Sequence, residues 1–254
     1  MHFDVPVGTS FARSITRKMV RGNGWSPLIH YMKEDKRYKA LDNKTVKKPR
    51  PIMYASHRDA CILSLYSHRL TKLLDRWYKS HGLHDSVIAY RSLGKGNYDF
   101  ARRVQDYVQT HENLTVMCFD VTGFFDNLEH EMLKQRLKLI LDVDDLSEDW
   151  FKVYRHVTKY RYVNLTDLRE NKKIKERIDS RKRVPIASIP ELKSAGIEVH
   201  KHTKPKGIPQ GTPISAMFSN LYMIDFDLEM LAETVQRDEL YQRYSDDILI
   251  ACPP

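Results

Sequence analysis

The stretch Tyr244-Ser245-Asp246-Asp247, with the apolar run Ile248-Leu249-Ile250-Ala251 behind it, constrains the fold of this sequence more than any other feature. Two adjacent carboxylates at the edge of a β-prone run are costly to hold, because their like charges repel each other. In a straight strand neighbouring side chains point to opposite faces, so both acids could not line one site. At the tip of a hairpin this alternation breaks, and both carboxylates can converge on a cation. The alternative is a plain polar turn between two strands.

The charge balance indicates a polyanionic partner. The 254 residues include 42 Lys and Arg against 33 Asp and Glu, a formal net charge of +9. Because acids are concentrated at the motifs described in this section, the cationic excess must lie elsewhere, where it suits nucleic acid. No apolar run is long enough to span a bilayer and no signal-peptide core begins the sequence, so we expect a cytoplasmic protein without membrane contact.

The three cysteines (Cys61, Cys118 and Cys252) form no Cys-x-x-Cys pair, and each lies in or beside an apolar run. We expect buried free thiols rather than a disulfide framework or a structural zinc site.

A chain of this length can bury a substantial core, as one large domain or as two interleaved subdomains. Apolar residues at helical spacing predict helices over 59–79, 98–110, 129–141 and 214–233. Strands are predicted at 52–54, at 114–120, and on both sides of the aspartate pair within 240–250. Pro49 and Pro51 hold the chain extended around Arg50. A second cationic run is either a flexible solvated loop or an insertion that touches template or a structural RNA: Lys172, Lys173, Lys175, Arg177, Arg181, Lys182 and Arg183.

Three motifs follow one another along the sequence. They are residues 119–130 (Phe-Asp-Val-Thr-Gly-Phe-Phe-Asp-Asn-Leu-Glu-His), residues 207–215 (Gly-Ile-Pro-Gln-Gly-Thr-Pro-Ile-Ser) and residues 244–247 (Tyr-Ser-Asp-Asp). In this order they resemble the first catalytic motif, the Pro-Gln-Gly motif and the Tyr-x-Asp-Asp box of bacterial reverse transcriptases. The resemblance extends over about residues 35–254 and is weak between 142 and 206. Group II intron, retron and phage-defence enzymes are the looser relatives.

The resemblance implies an α+β fold, with the fingers and palm of a right-hand polymerase and a small antiparallel palm sheet backed by helices. It divides the chain into an N-terminal extension (1–30), a part that is mainly fingers (31–112), palm with the first catalytic motif (113–141), an insertion or fingers–palm connection (142–206), and palm with the other two motifs (207–254). The sequence ends seven residues after Asp247, and we expect the thumb to be absent from this chain.

Phosphodiester synthesis has to activate a 3′-hydroxyl and stabilise a pyrophosphate leaving group, which two divalent ions held by clustered carboxylates can do. Asp120 and Asp246 are the expected bridging ligands, and Asp247 completes the catalytic triad. The resemblance implies the backbone carbonyl of Val121 as a further metal ligand. Mg²⁺, with Mn²⁺ as the alternative, is the expected cofactor. Four other acids are assigned to helix ends and the surface: Asp126, Glu129, Asp225 and Asp227.

The same resemblance implies further site residues. Cations on a fingers hairpin bind the incoming triphosphate, which indicates Arg50 first and then Lys48 and Arg58; the alternative is a solvated charged hairpin. Phe125 is expected to lie under the sugar and clash with a 2′-hydroxyl; the alternative is an ordinary core residue. Gln210 is expected to bond to a base or sugar edge. Nucleic acid is expected to contact seven residues: Arg91, Lys95, Gly211, Lys172, Lys173, Lys175 and Arg177.

The predicted function is that of an RNA-directed DNA polymerase, a nucleotidyltransferase with a role in anti-phage defence. Its expected partners are an RNA template or structural non-coding RNA, a DNA primer or product, and deoxynucleoside triphosphates; the oligomeric state is unknown. A template-independent or protein-primed DNA polymerase of the same family is one alternative, and a catalytically idle RNA-binding scaffold is another. The clustered carboxylates argue against the scaffold, because unneeded acids repel each other and lower stability.

Overall fold

The computed structural model describes residues 2–39, 43–180 and 182–254, with the backbone alone for Arg37, Lys39 and Lys48. The chain forms two compact units, each built from two separate stretches. Met1–Tyr66 and Leu146–Ser215 form the first unit, and Ser67–Asp145 and Ala216–Pro254 form the second. Interleaving is thus the arrangement that this chain adopts.

The first unit contains a four-stranded sheet. Its strands are β1 (Leu28–Lys39), β2 (Lys44–Tyr54), β4 (Arg161–Asn164) and β5 (His200–Lys201). They lie in the order β2-β1-β4-β5, so β2 and β5 are the edge strands. β1 and β2 form a long antiparallel hairpin, which contains the strand predicted at 52–54. Pro49 and Pro51 lie on β2, where an edge position tolerates residues without an N–H group.

The first unit also contains short helices, some of which contribute to an apolar core. They are α1 (Thr9–Ser14), α2 (Arg17–Arg21), α7 (Glu148–Thr158), α8 (Leu165–Glu170), α9 (Lys172–Asp179) and α10 (Ile189–Ser194). The core draws on β1, β4 and three of these helices, and its buried members include Ile29, Val163, Leu168, Ile174, Ile178, Ile186 and Leu192.

The second cationic run begins as a helix and not as a flexible loop. In α9 the side chains of Ile174 and Ile178 are buried in the core, because isoleucines four positions apart give a helix one apolar side. The side chain of Asn171 accepts a hydrogen bond from the Ile174 N–H and caps the helix. The loop interpretation was therefore wrong for residues 172–179, and Arg181 lies outside the described residues.

The second unit contains a small antiparallel sheet with helices packed against it. Its strands are β3 (Thr115–Asp120), β6 (Leu240–Tyr244) and β7 (Asp247–Cys252), in the order β3-β7-β6. The helices are α4 (Asn97–Thr110), α5 (Phe124–Asn127), α6 (His130–Leu141) and α12 (Ile224–Val235). The chain passes between the units within α3 (His57–Ser80) and at the start of α11 (Ser215–Tyr222). Across the described ranges, no helix is both long and apolar enough to cross a membrane.

The predicted helices over 59–79, 98–110 and 129–141 are confirmed as α3, α4 and α6, but the one over 214–233 is broken. Met223 separates α11 from α12 with φ −87° and ψ 1°, and its N–H donates to the carbonyl of Asn220. Each side of the break provides a side chain to one buried cation, Arg243: Asn220 from α11 and Asp227 from α12.

Arg243 and Asp227 are both fully buried and form a bidentate ion pair. Nε and Nη2 of Arg243 donate to the two carboxylate oxygens of Asp227 at 2.6 and 2.7 Å, and Nη1 donates to Asn220 Oδ1 at 3.2 Å. The hydroxyl of Tyr241 also donates to Asp227 at 2.6 Å. Burial disfavours the charged guanidinium, but the Asp227 carboxylate outweighs this effect and raises the pKa of Arg243. The assignment of Asp227 to the surface was therefore wrong.

The three cysteines are free thiols. Cys61 and Cys252 are half-buried, whereas Cys118 is exposed on β3, an edge strand of which most residues are accessible. The expectation of a buried thiol was therefore wrong for Cys118.

Replacing Asp227 with Ala is expected to lower the free energy of unfolding by about 3–5 kcal/mol, because the Arg243 guanidinium stays buried without its anion. The matched control is Asp225→Ala on the same helix, where the partner of Arg136 is a half-exposed carboxylate worth at most about 1 kcal/mol. Urea unfolding of both variants measures the difference. Equal losses would contradict the importance of the buried pair.

Candidate active site

The aspartate pair lies at the tip of the β6–β7 hairpin. Tyr244 and Asp247 form the last pair of the ladder, which leaves Ser245 and Asp246 as a two-residue turn. Ser245 has a left-handed φ of 61°, the conformation that a type II′ turn needs at its first central residue and that glycine adopts most easily. A serine there stores backbone strain beside the two acids.

Strand β3 brings the third acid to the same end of the sheet. Asp120 lies directly opposite Asp247 in the β3–β7 ladder, and the Val121 N–H donates to the carbonyl of Asp246 at 3.2 Å. Directly opposite residues on neighbouring strands point to the same face, and like charges in such a pair lower stability. The sheet therefore holds Asp120 and Asp247 in a pairing that favours a cation between or beside them.

The donor set at this end of the sheet suits a hard divalent cation. Asp120 and Asp247 are exposed and Asp246 is half-buried. Within the described ranges, neither Asp120 nor Asp246 pairs with a cationic side chain. Accessible carboxylate oxygens are the ligands that Mg²⁺ prefers. The carboxylate oxygens of the three acids do not all lie within 4.8 Å of one another. Side chains would therefore have to rotate for all three acids to bind one metal ion.

Among the described residues, the group that meets this spacing is His2, Asp4 and His57 in the first unit. Asp4 caps α3 by accepting hydrogen bonds from the backbone N–H groups of His57 and Arg58, both at 2.8 Å. Because cationic side chains line the cavity around this group, with Arg169 among them, its surroundings disfavour a metal cation.

A cavity of about 350 Å³ lies against the aspartates of the second unit. Its lining includes alternate residues of the three strands, which share one face of the sheet: Cys118, Asp120, Gln242, Tyr244, Asp247 and Leu249. Gln242 is only 5% exposed, and its Nε2 has no hydrogen-bond partner among the described residues. The lining therefore combines two carboxylates with a buried amide side chain.

The hairpin turn is held by groups that the motifs do not include. Arg243 Nη1 donates to the carbonyl of Ser245 at 2.8 Å, and the Tyr90 hydroxyl donates to Ser245 Oγ at 3.2 Å. Two backbone hydrogen bonds also join β6 to the loop before Tyr90. The Arg243 N–H donates to the carbonyl of Ser86, and the Ile88 N–H donates to the carbonyl of Arg243. The sequence does contain a signal for the buried pair of Arg243 and Asp227: an arginine inside an apolar strand and an acid on the apolar side of α12.

Phe125 is the accessible member of an aromatic pair. Phe124 is buried and Phe125 is half-buried on α5, with their rings 5.6 Å apart and nearly perpendicular. Gly123 precedes the helix with a left-handed φ of 63°. The role of Phe125 under a sugar stays a prediction that this exposure permits.

The cations predicted to bind a triphosphate lie in the first unit. Arg50, on β2, places its Nε 3.4 Å from Oδ2 of Asp35. Arg58 is exposed at the start of α3, with its guanidinium 5.0 Å from the centroid of the Phe11 ring. The side chain of Lys48 lies outside the described part of the chain.

Gln210 and Gly211 form a turn held against β2. The Met53 N–H donates to the carbonyl of Gln210 at 2.8 Å. Gly211 has a φ of 108°, and a Cβ at this position would lie 2.8 Å from the Met53 carbonyl oxygen and 2.9 Å from Cγ2 of Ile52. Packing against the strand therefore requires glycine here, and contact with nucleic acid stays a prediction.

Arg91 belongs to the interior of the second unit. Its side chain is 1% exposed, and Nε donates to Asp75 at 2.6 Å. Nη1 donates to the carbonyls of His84 and Val87 at 2.8 and 2.6 Å. A guanidinium with these bonds is not free to bind a phosphate, so the prediction for Arg91 was wrong. Lys95 stays accessible, 3.6 Å from Asp85.

The cations of α9 differ in how far they are already paired. Lys172, Lys173 and Lys175 are exposed. Arg177 donates to Glu191 at 2.8 Å and to the carbonyl of Ile186 at 3.2 Å, and its hydrogen bond lowers the pKa of Glu191 to about 2. The three lysines therefore carry the charge that is available on this helix.

Comparison with solved structures shows which known folds this one resembles. Apo telomerase from Candida tropicalis, truncated from its C-terminal domain, matches with a TM-score of 0.55 and 14% identity, over 90% of this chain and 45% of that one. The apo telomerase of Candida tropicalis gives 0.51 and 14% over 97% and 44%. Telomerase from Candida albicans, in complex with a fragment of telomeric RNA, gives 0.50 and 14% over 97% and 41%.

This chain thus spans less than half the length of those telomerases. At 14% identity the likeness concerns the fold, and it confirms the predicted α+β fingers and palm. A search of curated proteins found no match. A family model described as reverse transcriptase (RNA-dependent DNA polymerase) matches residues 36–253. The chain belongs to the reverse transcriptase family.

Proposed function

We propose that this chain catalyses RNA-templated DNA synthesis by adding deoxynucleotides to the 3′-hydroxyl of a primer. The observation that carries the proposal is the placement of Asp120 opposite Asp247, with Asp246 in the adjoining turn. Membership of the reverse transcriptase family supports this assignment. The cavity beside Asp120 and Asp247 offers open space in which a primer end can approach the carboxylates.

Asp120, Asp246 and Asp247, with the carbonyl of Val121, would hold the metal ions, for which Mg²⁺ is preferred and Mn²⁺ is the alternative. When bound, a pair of divalent ions activates the 3′-hydroxyl and stabilises the pyrophosphate that leaves. The chain contributes by fixing the acids in place. Arg243 holds the turn by donating a hydrogen bond to the Ser245 carbonyl. The carboxylates of Asp246 and Asp247 would therefore keep their position while each nucleotide is added.

Four kinds of side chain would select and bind the nucleotide: phenylalanine, glutamine, arginine and lysine. Phe125 would pack against the sugar and reject a 2′-hydroxyl by steric clash, and Gln210 would bond to a base or sugar edge. Arg50 and Arg58 would bind the triphosphate, since they lie on the hairpin and on the helix that follows it. Lys48 is proposed for the same role on the motif resemblance alone.

Template and primer would lie against Lys95, Gly211 and the exposed lysines of α9, which are Lys172, Lys173 and Lys175, with Arg177 beside them. Neutralising phosphates with such cations releases counterions and makes binding sensitive to salt. In domain terms we assign residues 31–112 mainly to the fingers and 113–141 with 207–254 to the palm. Residues 1–30 are an extension, and 142–206 connect or extend the two parts.

The motif resemblance leads us to propose a bacterial enzyme of the group II intron, retron or phage-defence type, acting with a structured non-coding RNA. Sequencing the nucleic acid that copurifies with the protein tests this assignment. The rival polymerase, which works without a template or from a protein primer, is distinguished by extension assays with and without added RNA. An idle scaffold would bind RNA and extend nothing in either assay.

Replacing Asp120 or Asp246 with Asn is expected to reduce primer extension by at least about a hundredfold, because an amide is a poor ligand for a hard cation and metal-ion catalysis supplies several kcal/mol. The fold should be kept, and the melting temperature should stay equal or rise as like-charge repulsion disappears. The measurement is extension of a labelled primer in Mg²⁺. Asp126→Asn, which changes an exposed acid within the motif that contains Asp120, is the control. Extension by Asp120→Asn at the control's rate would refute the assignment.

Phe125→Val is expected to increase the use of ribonucleotides relative to deoxynucleotides, because the smaller side chain removes the clash with the 2′-hydroxyl. The ratio of kcat/KM for the two nucleotides measures the change. Phe124→Leu serves as the control, since Phe124 is buried. If Phe125→Val keeps the wild-type ratio, Phe125 is a core residue only.

A further inference from the structure

The first unit contains a cavity of about 630 Å³ that is separate from the residues discussed above. It lies among α7, β4, β5 and the chain just before β1. Five of its lining residues are cations: Lys152, Arg155, Lys159, Arg161 and Lys201. Among the residues that the structure describes, no carboxylate lines this cavity. A concave surface with charge of a single sign has an electrostatic potential that attracts anions.

The described acids do not neutralise the charges of this cavity. In the described part of the chain, none of Lys152, Arg155, Arg161 and Lys201 forms an ion pair with an acid. Lys159 donates to two backbone carbonyls, at 3.4 and 3.1 Å, which leaves its charge uncompensated as well. Gathering five cations without a counter-charge lowers stability by mutual repulsion, and a bound polyanion would remove that cost.

An aromatic pair forms part of the same wall. The rings of Trp25 and His156 are stacked, with centroids 4.1 Å apart and planes 14° apart. Trp25 Nε1 and His156 Nε2 are buried and have no hydrogen-bond partner among the described residues. An unsatisfied buried polar group costs about 1–3 kcal/mol, so each of these two nitrogens leaves a hydrogen bond that a water or a ligand could complete. Burial lowers the pKa of His156 to about 4, so its imidazole is neutral at pH 7.

We propose that this cavity binds a segment of single-stranded nucleic acid, with phosphates on the cations and an unstacked base against Trp25. Cationic grooves interleaved with aromatic rings are the combination that holds single strands, because every base has a face that stacks. A duplex, with its bases stacked inside, would leave Trp25 without a partner. The inference concerns binding alone and does not depend on the chemistry proposed for Asp120.

The first test compares Arg161→Gln/Lys201→Gln with Lys72→Gln/Lys79→Gln. Arg161 and Lys201 are exposed, so the fold should persist, and the control removes the same charge from exposed positions of α3. Fluorescence anisotropy of labelled single-stranded RNA and DNA of about ten nucleotides, read at several salt concentrations, gives affinity and salt slope. The cavity variant should bind more weakly, and its slope should decrease by about 1.4, or 0.7 for each lost phosphate contact. The control should keep the slope of the unmodified protein.

The second test replaces Trp25 with Leu. Loss of base stacking should weaken strand binding by about tenfold and leave the salt slope unchanged, because stacking releases no counterions. A blunt duplex and a free mononucleotide should each bind more weakly than the single strand. Binding by either RNA or DNA supports the proposal, and a preference for RNA would indicate a contact with the 2′-hydroxyl.

Three results would overturn the proposal: the slope of the cavity variant equals that of the control, Trp25→Leu binds like the unmodified protein, or the duplex or mononucleotide binds as well as the strand. Asp120→Asn separates this proposal from the polymerase function. That variant should lose primer extension while its strand binding stays unchanged, whereas failure of extension in every variant with intact strand binding would count against the polymerase function alone.

Discussion

The ion pair between Arg243 and Asp227 is the interaction on which the second unit depends. A charged guanidinium taken fully out of water carries a desolvation penalty of several kcal/mol, which is repaid only by good geometry and complete hydrogen bonding. Arg243 meets both conditions through Asp227, Asn220 and the carbonyl of Ser245. One side chain therefore joins α11, α12 and the hairpin turn.

The contacts of Arg243 also explain how the unfavourable turn at Ser245 persists. Ser245 has a left-handed φ of 61°, and Tyr90, whose hydroxyl donates to it, has the same φ. Residues in such conformations persist when their surroundings determine their position more than once. Here the determinants are a buried cation, a side-chain hydrogen bond and the β ladder on either side. These contacts therefore also hold the backbone of Asp246 and Asp247 in place.

The parts of this fold that follow from short-range chemistry could be predicted from the sequence. Helical spacing indicated α3, α4 and α6, and the position of acids at the ends of apolar runs indicated the hairpin and its neighbour strand. These signals depend on residues close together in the chain, so a single sequence contains them. The fold class followed from the resemblance of three motifs to those of reverse transcriptases.

What could not be predicted depends on partners far apart in sequence. The break at Met223 leaves apolar residues on both sides, so periodicity alone continues through it. Arg91 resembles a phosphate ligand until Asp75 and the His84 carbonyl are seen around it. Asp227 reads as a surface acid because Arg243 is sixteen residues away. The cavity at Trp25 is lined by residues from stretches that lie more than a hundred positions apart. No local sequence pattern predicts such a cavity.

The edge strands of the first-unit sheet have a consequence for how this chain behaves at high concentration. An exposed edge offers unpaired N–H and C=O groups to any other strand, which is a common start of aggregation. On β2, Pro49 and Pro51 lack an N–H on the same side of the strand, because residues two apart share an orientation. At the other edge β5 has only two residues, His200 and Lys201. Both edge strands are thus poor templates for pairing with another strand. This disfavours self-association through the long β hairpin.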